Sequence, residues 1–377
     1  MLFKKNGNDK QQATSTSITP LLHPLVALLN SCSVQQFEFN ETGEKETLVE
    51  TLDFYLDANI PPTAPGMAIL VVQDGIVKYA GARGITNINT EQNIDSDSGF
   101  RLASVSKSFT ALAIMQLYEK GLLSLDDSIR DYIPELSDTW QKITIHHLLT
   151  HQSGISDWRA DLHLDTAIKG ATDATLVDYF KTHTELEFIP GEGEDYSNSG
   201  YTFLAEIVGR ISGLGFSKYM HKQIFEPLHM TNSYIADKQA IAKPNTALNY
   251  AKFKLSTLEG VAFYITGSNA MVSSLNDLHL IINGILDNAL IKEETMSLML
   301  QHYSPNIEVM GGNHYGYGWI LPPSEDTNAF MHTGGHDGFS TLFLINRARK
   351  FSIVILGNGG EKTGNHSYLL ELIGKFL

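Results

Sequence analysis

The stretch MAILVVQDGIVKYA, Met67 to Ala80, decides how the rest of this 377-residue chain is read. Two apolar, β-rich runs, Met67 to Val72 and Ile76 to Ala80, flank Asp74-Gly75. Asp-Gly between such runs predicts a hairpin, because both central positions of the turn favour positive φ. Upstream, Thr47 and Glu50 have the spacing of a capping box. The helix they open runs to about Ala58, with Leu48, Leu52, Tyr55 and Leu56 on one face, and Pro61-Pro62 ends it. Strand character returns only near the other end, at Phe330 to Thr333, Ser340 to Ile345 and Ser352 to Leu356, followed by a helix from Ser367 to Leu377. Between lie helical patterns: Ser104 to Lys120 with Gly121 as its stop, Ala174 to Thr182 with Asp173 as N-cap, Ser199 to Ser212, Phe216 to Phe225, and Leu275 to Leu286 with Ser274 as N-cap. Strands at both ends around a helical middle predict an α/β (α+β) fold. Its antiparallel sheet is built from both chain ends, with flanking helices and a helical insertion.

Composition narrows the function. With 42% hydrophobic and 18% charged residues, a core of ordinary size forms and wholesale disorder is excluded. A single cysteine excludes an internal disulfide scaffold and a multi-Cys zinc site. A net charge of −15 argues against a phosphate-backbone binder, so no nucleic-acid partner is expected. No apolar run reaches the roughly 18–20 residues of a membrane span. No nucleotide fingerprint appears and no cofactor is expected.

Residues 1–45 read as a leader or a disordered extension, and 46–377 as one domain. Lys4, Lys5 and Lys10, a polar stretch, an apolar patch from Leu21 to Leu29 and then Cys32 resemble a lipoprotein signal, which would place the protein at the cell envelope. The patch is short and carries His23 and Pro24, so an incidental cysteine in a disordered extension is the competing reading.

Three short motifs carry chemistry. Ser104-Val105-Ser106-Lys107 puts Ser104 and Lys107 at i and i+3, on one helix face. A serine hydroxyl needs a neighbouring base, and a lysine with a lowered pKa can be that base. Tyr196-Ser197-Asn198 follows a Pro-Gly loop just before a helix. There Tyr can relay a proton and Asn can donate to a substrate carbonyl. His332-Thr333-Gly334-Gly335 ends a strand, where small residues let a substrate lie along the edge and the Gly335 N–H can serve an oxyanion hole. Each motif alone recurs by chance; an S-x-x-K match is expected roughly once or twice in a chain of this length.

Together, in this order and context, the motifs resemble the serine β-lactamase and penicillin-binding protein superfamily. The Tyr-Ser-Asn form is similar to the branch of class C β-lactamases, D-alanyl-D-alanine carboxypeptidases and family VIII esterases. The stretches Ile143 to Gly154 and Asn269 to Ser274 agree with that branch. The resemblance covers about Leu48 to Leu377 and implies the following roles. Ser104 is the acylated nucleophile, and Lys107 and Tyr196 share the proton transfers. Asn198 orients the substrate amide or the lysine. His332 and Thr333 hold a substrate carboxylate or the proton network, and the N–H groups of Ser104 and Gly335 form the oxyanion hole. The substrate is a D-amino-acid peptide, a β-lactam or a small ester. A sensor domain that acylates without turnover is the alternative.

Lys362-Thr363-Gly364 is a literal K-T-G, but it follows the last strand rather than lying on one with more sheet after it. His332 departs from the lysine usual in β-lactamases of the superfamily. An unperturbed histidine titrates near roughly 6.5, so turnover of a carboxylate-bearing substrate is expected to fall as His332 deprotonates. His147 and His151, and His332 and His336, stand at i and i+4. No acidic third ligand accompanies either pair, so no metal site is expected.

Overall fold

The computed structural model describes residues 47–161, 170–240, 242–251, 254–255, 264–304, 313–323, 328–336 and 338–377. The leader, Cys32 and Gly311-Gly312 lie outside them.

The first helix, α1 (Leu48–Asn59), is capped as its sequence implies: Thr47 and Glu50 form a full capping box, and Leu52, Tyr55 and Leu56 are buried. It leads into the hairpin of β1 (Met67–Gln73) and β2 (Ile76–Arg83). Asp74 and Gly75 take φ of 52° and 73°, the turn that Asp-Gly favours.

The helical insertion follows. Its centre is α2 (Ser106–Glu119), preceded by a 3₁₀ turn over Ala103–Val105. All residues from Ser106 to Leu117 are buried, as expected of a helix apolar on every side. The insertion continues through α3 (Asp173–Phe180), α4 (Asn198–Ser212), α5 (Leu275–Leu286) and α6 (Glu293–Met299). Ser274 caps α5 through the Asp277 N–H. The cap of α3 corrects the sequence reading: Thr172, not Asp173, accepts from the Thr175 N–H. Asp173 is drawn inward and accepts from the N–H and hydroxyl of Thr266. The helix at Phe216 is α-helical only to Met220 and continues as a π-turn over His221–Phe225.

Five further strands complete the sheet: β3 (His314–Tyr315), β4 (Ile320–Leu321), β5 (Ala329–His336), β6 (Phe339–Asn346) and β7 (Phe351–Gly357). The seven-stranded order is β3-β4-β5-β6-β7-β1-β2, and every pairing is antiparallel. β1 therefore lies between its hairpin partner and β7, which joins both chain regions in one sheet with flanking helices. Helix α7 (His366–Gly374) ends the described chain.

Successive strand residues face opposite sides of the sheet. On β6, Ser340 Oγ lies 3.1 Å from His366 Nε2 of α7, whereas Thr341 Oγ1 donates to the Leu102 carbonyl at 2.7 Å. Helix α7 and the turn before α2 thus occupy opposite faces. Phe109 of α2 meets Phe343 of β6 at 5.8 Å between ring centroids, which fixes the buried helix to the sheet. Among the described residues, no helix is long and apolar enough to cross a membrane.

The hairpin turn offers a direct test. A Cβ at Gly75 meets nothing within 4 Å, so Gly75→Ala adds no clash and only places a side chain at φ 73°. It should cost about 1–2 kcal/mol in denaturant unfolding, the ordinary expense of a left-handed residue. A cost near zero would show that this turn does not hold the hairpin.

Candidate active site

Ser104 sits in the 3₁₀ turn rather than in the first α-helical turn, and the residue before it, Ala103, takes φ of 50°. A non-glycine residue there costs about 1–2 kcal/mol and needs surrounding support. Leu102 supplies it on both sides: its N–H donates to Met271 O at 2.8 Å, and its carbonyl accepts from Thr341. Gly334 of β5 lies directly against this turn. A Cβ there would stand 2.2 Å from Leu102 O and 3.1 Å from Ala103 Cβ, so a side chain would push the strand away from Ser104. Gly335 is exposed, and a Cβ on it would meet nothing within 4 Å.

Lys107 has no exposure to water. Its Nζ donates to Asn198 Oδ1 at 2.7 Å and to the Ser268 carbonyl at 3.0 Å, and it lies 3.3 Å from Ser104 Oγ. Burial lowers its pKa to about 7, partly offset by the negative charge of Asp157 and reinforced by Arg159. The rings of Tyr196 and Tyr201 flank the amine, at 4.8 and 5.7 Å from their centroids.

The Tyr196 hydroxyl is buried and faces Ser104 without completing a well-formed hydrogen bond. Burial raises its pKa, so the phenol is neutral. His151 packs on the Tyr196 ring at 4.3 Å between centroids, and its Nδ1 accepts from the Ser197 N–H at 3.1 Å. That bond fixes the loop carrying Tyr196 and Asn198 against the segment before it.

His332 is buried. Its Nδ1 lies 2.6 Å from the Thr333 carbonyl, which can only accept, so the proton is on Nδ1. Nε2 then accepts from the Tyr315 hydroxyl at 3.0 Å. Burial and the nearby Lys107 push the His332 pKa down to about 3. The ring is neutral throughout the physiological range, which revises the expectation that its titration governs carboxylate recognition. Thr333 is nearly buried.

The structure thus gathers Ser104, Tyr196, Asn198 and His332 around the Lys107 amine, with Gly334 and Gly335 on the strand beside Ser104. Motif reading missed Asp157, whose carboxylate accepts from Asn198, and the Ser268 carbonyl, which carries no side-chain signal. His151 stood out only as half of a histidine pair, and Tyr315 belongs to none of the three motifs. The K-T-G at Lys362 falls in a 3₁₀ turn, Gly360–Thr363, off the strands. His147 is spent on a capping interaction with Thr144.

Strand β5 has one more relevant property. Among the described residues, β4 pairs with it only at Ile320 and Met331, while β6 pairs along its whole length. From His332 onward no described strand pairs with the edge facing away from β6.

Comparison with known proteins bears on the family and the fold. Penicillin-binding protein 4* of Bacillus subtilis (strain 168) is 27% identical over 355 residues, 88% of this chain and 75% of that protein. Protein flp of Staphylococcus aureus is 27% identical over 302 residues, and the match spans 78% of this chain but 59% of that protein. The structure of an octameric penicillin-binding protein homologue from Pyrococcus abyssi superposes with a TM-score of 0.74 at 27% identity, covering 86% of this chain and 76% of that one. A D-stereospecific amidohydrolase from Streptomyces sp. shares the fold, with a TM-score of 0.68 at 21% identity over 83% of this chain and 96% of that one. A family model described as Beta-lactamase matches residues 61–376. The chain therefore belongs to the β-lactamase family, within the serine β-lactamase and penicillin-binding protein superfamily.

Proposed function

We propose that residues 46–377 form a serine hydrolase domain that cleaves an amide or ester through an acyl-enzyme on Ser104. One observation carries this reading: the surroundings of Lys107 suit a neutral amine. A neutral amine has two N–H donors and one lone pair. The Asn198 and Ser268 carbonyl oxygens take the two donors, which leaves the lone pair for the Ser104 hydroxyl. The burial that lowers the Lys107 pKa to about 7 makes that form available at neutral pH.

In the proposed reaction Ser104 Oγ attacks the substrate carbonyl as its proton passes to Lys107 Nζ. The N–H groups of Ser104 and Gly335 receive the developing oxyanion, each such donor being worth about 3 kcal/mol. The neutral phenol of Tyr196 relays the proton to the leaving group as the scissile bond breaks. A water then attacks the acyl carbon and gives its proton back through the same groups, freeing Ser104. The edge of β5 with which no described strand pairs suits a substrate whose backbone-like amide lies along it. His332, kept neutral by burial and by the nearby Lys107, belongs to the polar wall of the site and supplies no positive charge for a substrate carboxylate.

A D-amino-acid peptide, a β-lactam and a small ester all fit this chemistry. The name of the Bacillus subtilis relative adds weight to a β-lactam as an acylating agent. The deciding assay compares a chromogenic cephalosporin, 4-nitrophenyl butyrate and a D-alanyl-D-alanine peptide on wild type and Ser104→Ala. Hydrolysis of at least one of them should fall by about 10³-fold or more in the variant, with acyl adduct on the wild-type Ser104 peptide by mass spectrometry. Undiminished hydrolysis of all three by Ser104→Ala would remove the reading.

With neutral ester, kcat/KM should decline as pH falls through about 7, because protonated Lys107 has no lone pair to offer. Since His332 ionises only near 3, a carboxylate-bearing substrate and the neutral ester should show parallel profiles between pH 5 and 8; diverging limbs would restore His332 as the anion-binding group. Gly334→Ala should cost more than tenfold in acylation rate through displacement of the nucleophile's turn. Gly335→Ala should leave the melting temperature within about 2 °C of wild type, because its Cβ enters open space.

A further inference from the structure

We propose that Asp157 is a positioning residue for proton transfer at Lys107: it locks the Asn198 side-chain amide so that its oxygen, not its nitrogen, meets the amine. The inference rests on the serine hydrolase reading above.

An amide presents an acceptor on one side and donors on the other, and the two are nearly equal in shape. Only one orientation of Asn198 suits Lys107. If the amide turned over, Nδ2 would face Nζ, one N–H donor of the lysine would lose its acceptor, and the lone pair would be drawn toward Asn198 instead of Ser104. Asp157 prevents this. Its Oδ2 accepts from Asn198 Nδ2 at 2.6 Å and from the Asn198 backbone N–H at 3.2 Å, which leaves Asn198 Oδ1 to accept from Lys107 Nζ at 2.7 Å. A carboxylate has no donor and therefore holds the amide in one sense only. Asp157 itself is steadied by the Arg159 N–H, which donates to its other oxygen at 2.9 Å.

The same carboxylate has a second effect on the amine. Lys107 is faced by Asp157 and Arg159 from the loop after Gly154, by Tyr196 and Tyr201, and by His151 and His332. The tyrosines and histidines are neutral near pH 7, because burial raises the former and lowers the latter. Asp157 is the one negative group among these. It favours the charged lysine and so keeps the amine's pKa at about 7 against the full effect of burial.

A purely structural role is the competing account. Asn198 is the first residue of α4, whose N-cap Ser197 makes no side-chain capping bond, and Asp157 could serve only as a substitute cap. Two variants separate the accounts, each assayed with 4-nitrophenyl butyrate from pH 5 to 9 beside Ser104→Ala. Asp157→Ala frees the amide, and kcat should fall at least about tenfold with KM within about threefold of wild type. Asp157→Asn can still accept from Asn198 but carries no charge. It should keep kcat within about fivefold of wild type while the acid limb of kcat/KM moves to lower pH by roughly half to one unit. The sign follows from the loss of a negative charge, which makes the buried lysine easier to deprotonate. Two results would overturn the proposal: both variants superimposing on the wild-type profile, or both losing activity equally with the limb unmoved, as a cap alone would give. If Ser104→Ala is inactive while the Asp157 variants match wild type, only this inference falls. If Ser104→Ala stays active, the hydrolase reading falls with it.

Discussion

An amine with no access to water cannot remain an ordinary ammonium, and the site depends on that constraint at Lys107. The lysine occupies the first turn of α2, the helix most enclosed by the rest of the molecule. Burying a charge there is costly unless the charge is paired or given up. The surroundings offer two carbonyl oxygens and a serine hydroxyl rather than a carboxylate in direct contact. That combination satisfies a neutral amine, and burial lowers the pKa to about 7. The helix that stabilises the fold is thus the same one that sets the base strength of the site.

Around this amine the parts come from distant stretches of chain. The turn before α2 supplies Ser104, the start of α4 supplies Asn198, and a loop before α5 supplies the Ser268 carbonyl. Strand β5 closes the arrangement because Gly334 lets its backbone lie against the turn. The strain at Ala103 is tolerated because both polar groups of Leu102 are held, one by the short strand Met271–Ser273 and one by the large sheet. A change in the sheet at Thr341 would therefore be felt at Ser104 without touching it.

What could be read from the sequence follows from how each feature is encoded. The hairpin at Asp74-Gly75, the capping box at Thr47 and the serine, tyrosine and histidine motifs are local patterns of residue type. The Ser268 contribution was invisible because a backbone carbonyl has no residue signature. Asp157 was invisible because one aspartate in a loop means nothing until α4 is placed beside it. Asp173 was misread for a related reason: a good N-cap residue at the right place was claimed instead by Thr266, a partner 93 positions away. His332 was located by its motif, but its ionisation depended on burial and on the closeness of Lys107, which only the packed structure supplies.

The position of β1 has a consequence for how such a chain reaches this state. Its hairpin with β2 is local, but its other edge is filled by β7, and Asn358 ties that junction to the Gly66 N–H across 292 positions. During synthesis the hairpin therefore emerges with one hydrogen-bonding edge and an apolar face unclaimed. It waits through the entire helical insertion before its neighbour exists. Long-range pairing of this kind slows folding and leaves an edge open to wrong partners. The exposed charge of Lys78 on β2 and the short β3 and β4 at the far side of the sheet are the kinds of feature that blunt such edges. The same topology that brings β5 to Ser104 makes the candidate site one of the last regions of the molecule to become complete.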